Sequence, residues 1–148
     1  MHVYRLHREQ HLPRPLPEIF RFFSDARNLA LITPPRLHFK ILDAPAELRA
    51  GSRIRYRLRP FGISIRWTSE IARWEPPHLF TDVQLSGPYR LWEHTHRFEE
   101  SAGGTRMCDD VCYALPFGWL VHPAVKRNLD GIFDYRHQRV EAMFGRSR

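Results

Sequence analysis

The stretch from Leu91 to Pro116, LWEHTHRFEESAGGTRMCDDVCYALP, constrains the fold more than any other part of the chain. Trp92, His94, His96 and Phe98 alternate, so on a strand they share one face. The Gly103–Gly104 pair marks a tight turn. Met107, Asp109, Val111, Tyr113 and Leu115 alternate on the return strand. If Phe98 stands opposite Met107, His96 faces Asp109, His94 faces Val111 and Trp92 faces Tyr113. That register makes one mostly apolar wall with a polar pair in it. A slip by one residue buries Arg106, Cys108 and Asp110 instead, a worse face. An aromatic wall with a few convergent polar groups suits a small-molecule pocket.

The rest of the chain supplies the partners of this hairpin. Residues 2–12 alternate and predict a first strand, stopped by Pro13, Pro15 and Pro17. A helix starts near Pro17, because proline tolerates a first helical turn. Leu16, Ile19, Phe20 and Phe23 give it one apolar face. A second short helix is expected over Ala26–Ile32, ended by Thr33-Pro34-Pro35. From His38 to Leu115 the pattern is strand after strand, at His38–Leu42, Ser52–Leu58, Ile63–Trp74 and Leu79–Leu85, then the two arms of the hairpin. Short strands with regular turns predict an antiparallel meander.

The period then changes. Val121, Val125, Leu129, Ile132, Phe133, Arg136, Val140, Met143 and Phe144 follow i, i+3, i+4 spacing over a helix from about Pro123 to Phe144. Such a helix is about 33 Å long, enough to lie across a curved sheet. Gly131, inside it, marks a close backbone approach, a gap for a ligand, or simple tolerance. Gly145 is expected to cap it. The expected architecture is α+β, with a single domain over residues 1–148.

Composition narrows the function. With 148 residues and 43% hydrophobic side chains, the chain can bury one core. No apolar run approaches the roughly 20 residues that span a bilayer. The charged N-terminal stretch lacks an apolar signal core, so a cytoplasmic protein is expected. Cys108 and Cys112 share a strand face about 13 Å apart, beyond the ~7 Å a disulfide bridges. Two free thiols agree with a reducing compartment. The net charge is +7, yet Arg53, Arg55, Arg57 and Arg59 alternate along a strand and read as its solvent face. Weak contact with an anionic membrane is the remaining role for that charge. Specific nucleic-acid binding is not expected.

The layout resembles the helix-grip fold of the START/Bet v 1-like superfamily, in which a curved antiparallel β-sheet wraps a long C-terminal helix and two short helices follow the first strand. It is similar to the branch known as polyketide cyclase/dehydrase. The resemblance rests on Ile19–Leu29 leading to Thr33-Pro34-Pro35, on Gly87–Phe98, and on Gly103–Met107 with Tyr113 and Pro116. It spans essentially the whole chain. It implies a hydrophobic ligand cavity under the long helix. It names no substrate, because the superfamily includes carriers, receptors, cyclases and co-chaperones.

Within that cavity, Tyr56, Trp67, Trp92, His94, His96, Phe98, Asp109, Tyr113, Phe133 and Arg136 are the expected ligand-binding residues, with Trp74 a further aromatic candidate. The aromatic content of 13% favours a large flat or elongated apolar ligand. The His96–Asp109 pair either pins the strand register, anchors a ligand oxygen, or serves as an acid/base pair. Arg136 either reaches solvent or enters the cavity toward Asp109. His94-x-His96 has the spacing for two imidazoles on one ion, but no metal and no cofactor is expected from a motif so common among nine histidines. Dinucleotide, P-loop and serine-elbow motifs are absent. The expected function is therefore non-covalent binding or transport of a lipid-like or aromatic molecule. The alternatives are a cyclase or dehydrase with His96 as base, its imidazole oriented by Asp109, and a regulatory interaction module.

Overall fold

The computed structural model describes residues 1–147. Seven strands form one antiparallel sheet in the order β1-β7-β6-β5-β4-β3-β2. They are β1 (Tyr4–Leu12), β2 (Lys40–Asp43), β3 (Arg53–Leu58), β4 (Ile65–Glu75), β5 (Leu79–Ser86), β6 (Leu91–Ser101) and β7 (Gly104–Ala114). Helix α1 (Leu16–Phe23) follows β1, and helix α2 (His122–Phe144) closes the chain. This is the helix-grip arrangement.

The hairpin pairs as its alternation dictates. Trp92 stands opposite Tyr113, His94 opposite Val111, His96 opposite Asp109 and Phe98 opposite Met107. The turn is displaced by one residue from the glycine pair. Ala102 (φ 41°) and Gly103 (φ 80°) form the two-residue loop, and Gly104 already belongs to β7. Gly104 is needed for contact instead, because a Cβ there would lie 2.1 Å from the Leu12 carbonyl oxygen.

Other differences from expectation are local. Ala26–Ile32 is a 3₁₀ helix, started by Asp25, whose side chain accepts a hydrogen bond from the Arg27 amide. β2 begins at Lys40 because His38 takes a left-handed conformation (φ 48°) after a short 3₁₀ turn. β4 begins at Ile65 because Phe61 (φ 53°) and Gly62 (φ 78°) turn the chain first. Gly131 is exposed, and a Cβ there would meet only the Arg36 side chain at 3.8 Å. It is simply tolerated, with neither a close backbone approach nor a ligand gap. Gly145 does end α2, in ordinary right-handed geometry. Arg53, Arg55 and Arg59 are exposed, but Arg57 is half-buried, so the β3 arginines are not all solvated.

Helix α2 buries Leu129, Phe133, Arg136 and Val140 against the sheet. Several polar ties hold it to the β1 edge, and Arg139 adds a bond to the Leu31 carbonyl at 3.2 Å. Arg8 on β1 reaches Asp134 at 2.6 Å and Asp130 at 3.1 Å. Gln10 donates to the His137 carbonyl at 3.1 Å and to Glu141 at 3.0 Å. The helix therefore sits tightly over β1 and β7, where Leu12, Met107, Val111 and Tyr113 are almost fully buried. Over β3 to β6 it stands away from the sheet.

Candidate functional site

That separation leaves a cavity of about 410 Å³ between α2 and β3–β6, within the usual range for small-molecule sites. Its walls are mainly apolar. Tyr56, Trp67, Trp92 and Phe133 line it as expected, joined by Phe80 and Tyr89. Trp67 is the centre of the aromatic wall, 5.2 Å from Trp92, 5.4 Å from Tyr89 and 5.7 Å from Tyr56, ring centre to ring centre. The Trp67 indole N–H is buried and makes no hydrogen bond within the protein.

Three expected ligand contacts lie outside the cavity lining, Phe98 beneath α1 and Tyr113 and Asp109 toward the side sealed by α2. Phe98 packs on Phe20 and Phe23 of α1 and on Phe80. Tyr113 stacks on Tyr4 and bonds His122 through its hydroxyl at 3.1 Å. Asp109 lies behind the lining, within bonding distance of His94 and Arg136. Trp74 is likewise core, against Phe20 and Phe80.

One polar cluster interrupts the apolar wall. Asp82 on β5 is opposite His94 in register, and Asp109 is opposite His96. The hydrogen bonds run diagonally instead. His94 Nε2 bonds Asp109 Oδ1 at 2.8 Å, and His96 Nε2 bonds Asp82 Oδ2 at 2.8 Å. The expected His96–Asp109 contact is only 3.5 Å. Diagonal neighbours in an antiparallel ladder lie within reach of long side chains, and here they win. The two imidazoles stack with centres 3.8 Å apart. Arg136 enters the cavity side rather than solvent. It donates from Nη2 to Asp109 Oδ1 at 3.1 Å and lies 3.4 Å from His96 Nδ1. Its Nε is buried without a partner in the protein.

The electrostatics follow from this packing. Burial, followed by the neighbouring His94, pushes His96 down to about 4, against the pull of Asp82. Burial also works against the charge on Asp109, but Arg136, His94 and His96 outweigh it and hold the carboxyl well below the usual carboxylate range. Asp82 is lowered in the same way, burial being outweighed by the His96 hydrogen bond and by the neighbouring His94, His96 and Arg136. The cluster thus holds two carboxylates and one guanidinium, with His96 neutral at ordinary pH.

Asp82 was not singled out by sequence reasoning. Its signal was present, since Phe80 and Asp82 alternate on a predicted strand. Placing them against His96 and His94 requires the β5–β6 register, which the turn between those strands sets.

Residues 12–136 match the family described as polyketide cyclase/dehydrase and lipid transport. The chain belongs to that family. Its fold is shared with protein Ms6760 from Mycobacterium smegmatis (20% identity, TM-score 0.72, 97% of this chain and 96% of that one). It is shared also with protein CV1439 from Chromobacterium violaceum (17% identity, TM-score 0.75, 99% and 100%). The nucleoside-diphosphate sugar epimerase from Corynebacterium glutamicum matches at 25% identity and TM-score 0.69, over 91% of this chain but 28% of that one. No curated protein matches the chain. A cavity for hydrophobic ligands fits the family generally. Among the described residues, no helix is long and apolar enough to cross a membrane.

Proposed function

We propose that this protein binds and carries a hydrophobic molecule, aromatic or lipid-like, that bears at least one oxygen. The observation that carries this reading is the 410 Å³ cavity, whose mainly apolar wall meets a charged cluster at Asp82, His94, His96 and Arg136. Apolar burial drives association at about 25 cal/mol per Å². The Trp67 indole N–H and the Arg136 Nε–H, which lack partners within the protein, supply donors for ligand oxygens. Native mass spectrometry of freshly purified protein, followed by organic extraction, tests this. One hydrophobic molecule per chain supports it. An apo mass, together with failure to bind the apolar fluorophore ANS or a fatty acid, overturns it.

Exposed apolar side chains suggest how such a ligand is loaded. Phe61 and Ile63 project from the β3–β4 turn, and Phe117, Trp119 and Leu120 from the segment before α2. These turns flank Pro60, Pro88 and Pro116 in the cavity wall, at the sheet end where β3, β5 and β7 finish. With the exposed Arg59 and a net charge of +7, this end suits an anionic membrane surface. Binding to vesicles that is indifferent to anionic lipid and to salt counts against this route.

A second reading, cyclase or dehydrase chemistry, is favoured by the Asp109–His94 pair. Asp109 accepts from His94 Nε2 and leaves Nδ1 free to take a proton. His94 is thus a better general base than His96, whose Nε2 is committed to Asp82. If His94→Gln abolishes turnover of a polyketide-like substrate while ligand binding persists, the enzyme reading holds. No turnover in the wild type removes it.

A further inference from the structure

We propose that Asp82, His94 and His96 form a site for one divalent transition-metal ion, with an open coordination position facing the apolar cavity. One ligand atom from each residue lies within 4.8 Å of the other two. His96 Nε2 is 2.8 Å from Asp82 Oδ2, and His94 Nδ1 is 4.0 Å from the same oxygen. A tetrahedral ion with bonds of about 2.0–2.1 Å keeps its ligands roughly 3.3 Å apart. The two distances bracket that value, and with all three atoms within 4.8 Å of one another, shifts of up to about 1.5 Å seat the ion.

His94 is buried, 5% exposed. Its Nε2 bonds Asp109 Oδ1 at 2.8 Å, which leaves Nδ1, on the other side of the ring, 4.0 Å from Asp82 Oδ2 and beyond hydrogen-bond reach of it. An ion seated between these two atoms would bond both. Behind His94 stands the arrangement that metal-binding histidines use, in which a carboxylate takes the other ring N–H. Asp109 is itself held by Arg136.

Proton and charge accounts are consistent. His96 frees Nε2 for the ion by moving its proton to Nδ1, which lies 3.5 Å from Asp109 Oδ1; the Arg136 Nη2 donor, now 3.4 Å from that nitrogen, must then turn wholly to Asp109. Asp82, Asp109 and Arg136 together leave one negative charge, which a divalent ion reverses to one positive. The open position then favours an anionic or polarised oxygen on whatever fills the cavity. Two imidazoles and one carboxylate suit zinc, cobalt(II) or iron(II). All three residues line the cavity, so the fourth ligand comes from that side. A rival group, His7, Glu9 and Cys108 on the outer face, is already engaged. His7 bonds Asp110 and Glu9, and Glu9 pairs with Arg106.

The test uses chelator-stripped whole protein and the metal alone, so it does not depend on the ligand reading. Cobalt(II) is expected to bind once per chain, with the intense visible bands of a low-coordinate ion and no thiolate charge-transfer band. Asp82→Asn should weaken binding by 100-fold or more, and Asp109→Asn by about 10–100-fold. Cys108→Ser should leave it unchanged. If Asp82→Asn does not fold, imidazole nitrogen NMR of the zinc-loaded wild type decides, since His94 Nδ1 and His96 Nε2 must be the perturbed nitrogens. A weak six-coordinate cobalt spectrum, binding unaffected by Asp82→Asn in folded protein, a sulfur band lost with Cys108→Ser, or perturbation confined to other histidines overturns the proposal.

Discussion

The two flanks of the concave face share one sheet and one helix, yet one is solid and the other hollow. Over β1 and β7, α2 is drawn down by Arg8 and Gln10, and the space fills with Leu12, Met107, Val111 and Tyr113. Over β3 to β6 the helix reaches the sheet through Arg136 at His96, and aromatic side chains meet around a cavity. Both flanks are apolar, so hydrophobicity alone does not decide where a pocket lies. The polar ties that seat the helix decide it. The Asp82–His94–His96–Asp109 cluster sits at the boundary between the flanks, and Arg136 joins it from above.

The largest effects should come from buried residues behind the cavity wall. Asp109→Ala leaves the Arg136 cation buried without its partner, and should cost about 3–5 kcal/mol in urea unfolding. Phe98→Ala should cost a similar 3–5 kcal/mol by opening a void among Phe20, Phe23 and Phe80, while leaving ANS affinity within a few-fold of wild type. Equal loss of affinity in that variant would mean that Phe98 lines the pocket after all, and the contrast would fail.

Next in size is a pH effect at the boundary. His96 is held at about 4 when folded, against about 6.5 when unfolded. Between those values the unfolded chain binds the extra proton, so stability rises with pH. In metal-free protein the contribution is complete above about pH 6.5. It is lost as pH falls toward 4, amounting to about 3 kcal/mol. Urea unfolding at several pH values checks this, and His96→Gln should flatten the curve.

On the hollow side, a change should weigh on ligand rather than on fold. Trp67→Phe should cost less than about 1.5 kcal/mol in stability yet lower ANS affinity several-fold, as read by fluorescence titration. Smallest of all, Phe61→Ser and Trp119→Ser should change stability by no more than about 0.5 kcal/mol. Their effect should appear only as weaker sedimentation with anionic vesicles.

The pattern of these expectations tracks what the sequence made legible. Alternation within one hairpin revealed the Trp92–Phe98 wall and its register against Met107–Tyr113, because a side-chain period of two leaves little freedom. The long stripe from Val121 to Phe144 revealed α2 for the same kind of reason. The cavity membership of Phe98, Tyr113 and Asp109 was not legible. For Tyr113 and Asp109 it depends on where α2 settles, which Arg8 and Gln10, more than 100 residues away in the chain, help to set; for Phe98 it depends on α1, whose Phe20 and Phe23 cover it. Asp82 was hidden for a related reason. An aspartate in a strand reads as a solvent-facing residue until its neighbours across the ladder are known.

The seam between β1 and β7 has a consequence for how the molecule assembles. Among the described residues, β1 is the one strand whose ladder partner is not its neighbour in sequence, and its pairing joins Tyr4 to Tyr113. Closing a loop of that length costs about 4 kcal/mol of chain entropy, whereas the β3–β7 hairpins close over a few residues. The meander should therefore collapse first, with β1 arriving late and low φ-values expected along it. Because β1 carries Arg8 and Gln10, which help to seat α2, the roof of the cavity is completed when β1 and α2 meet. A ligand present during synthesis would find an open trough rather than a closed vessel.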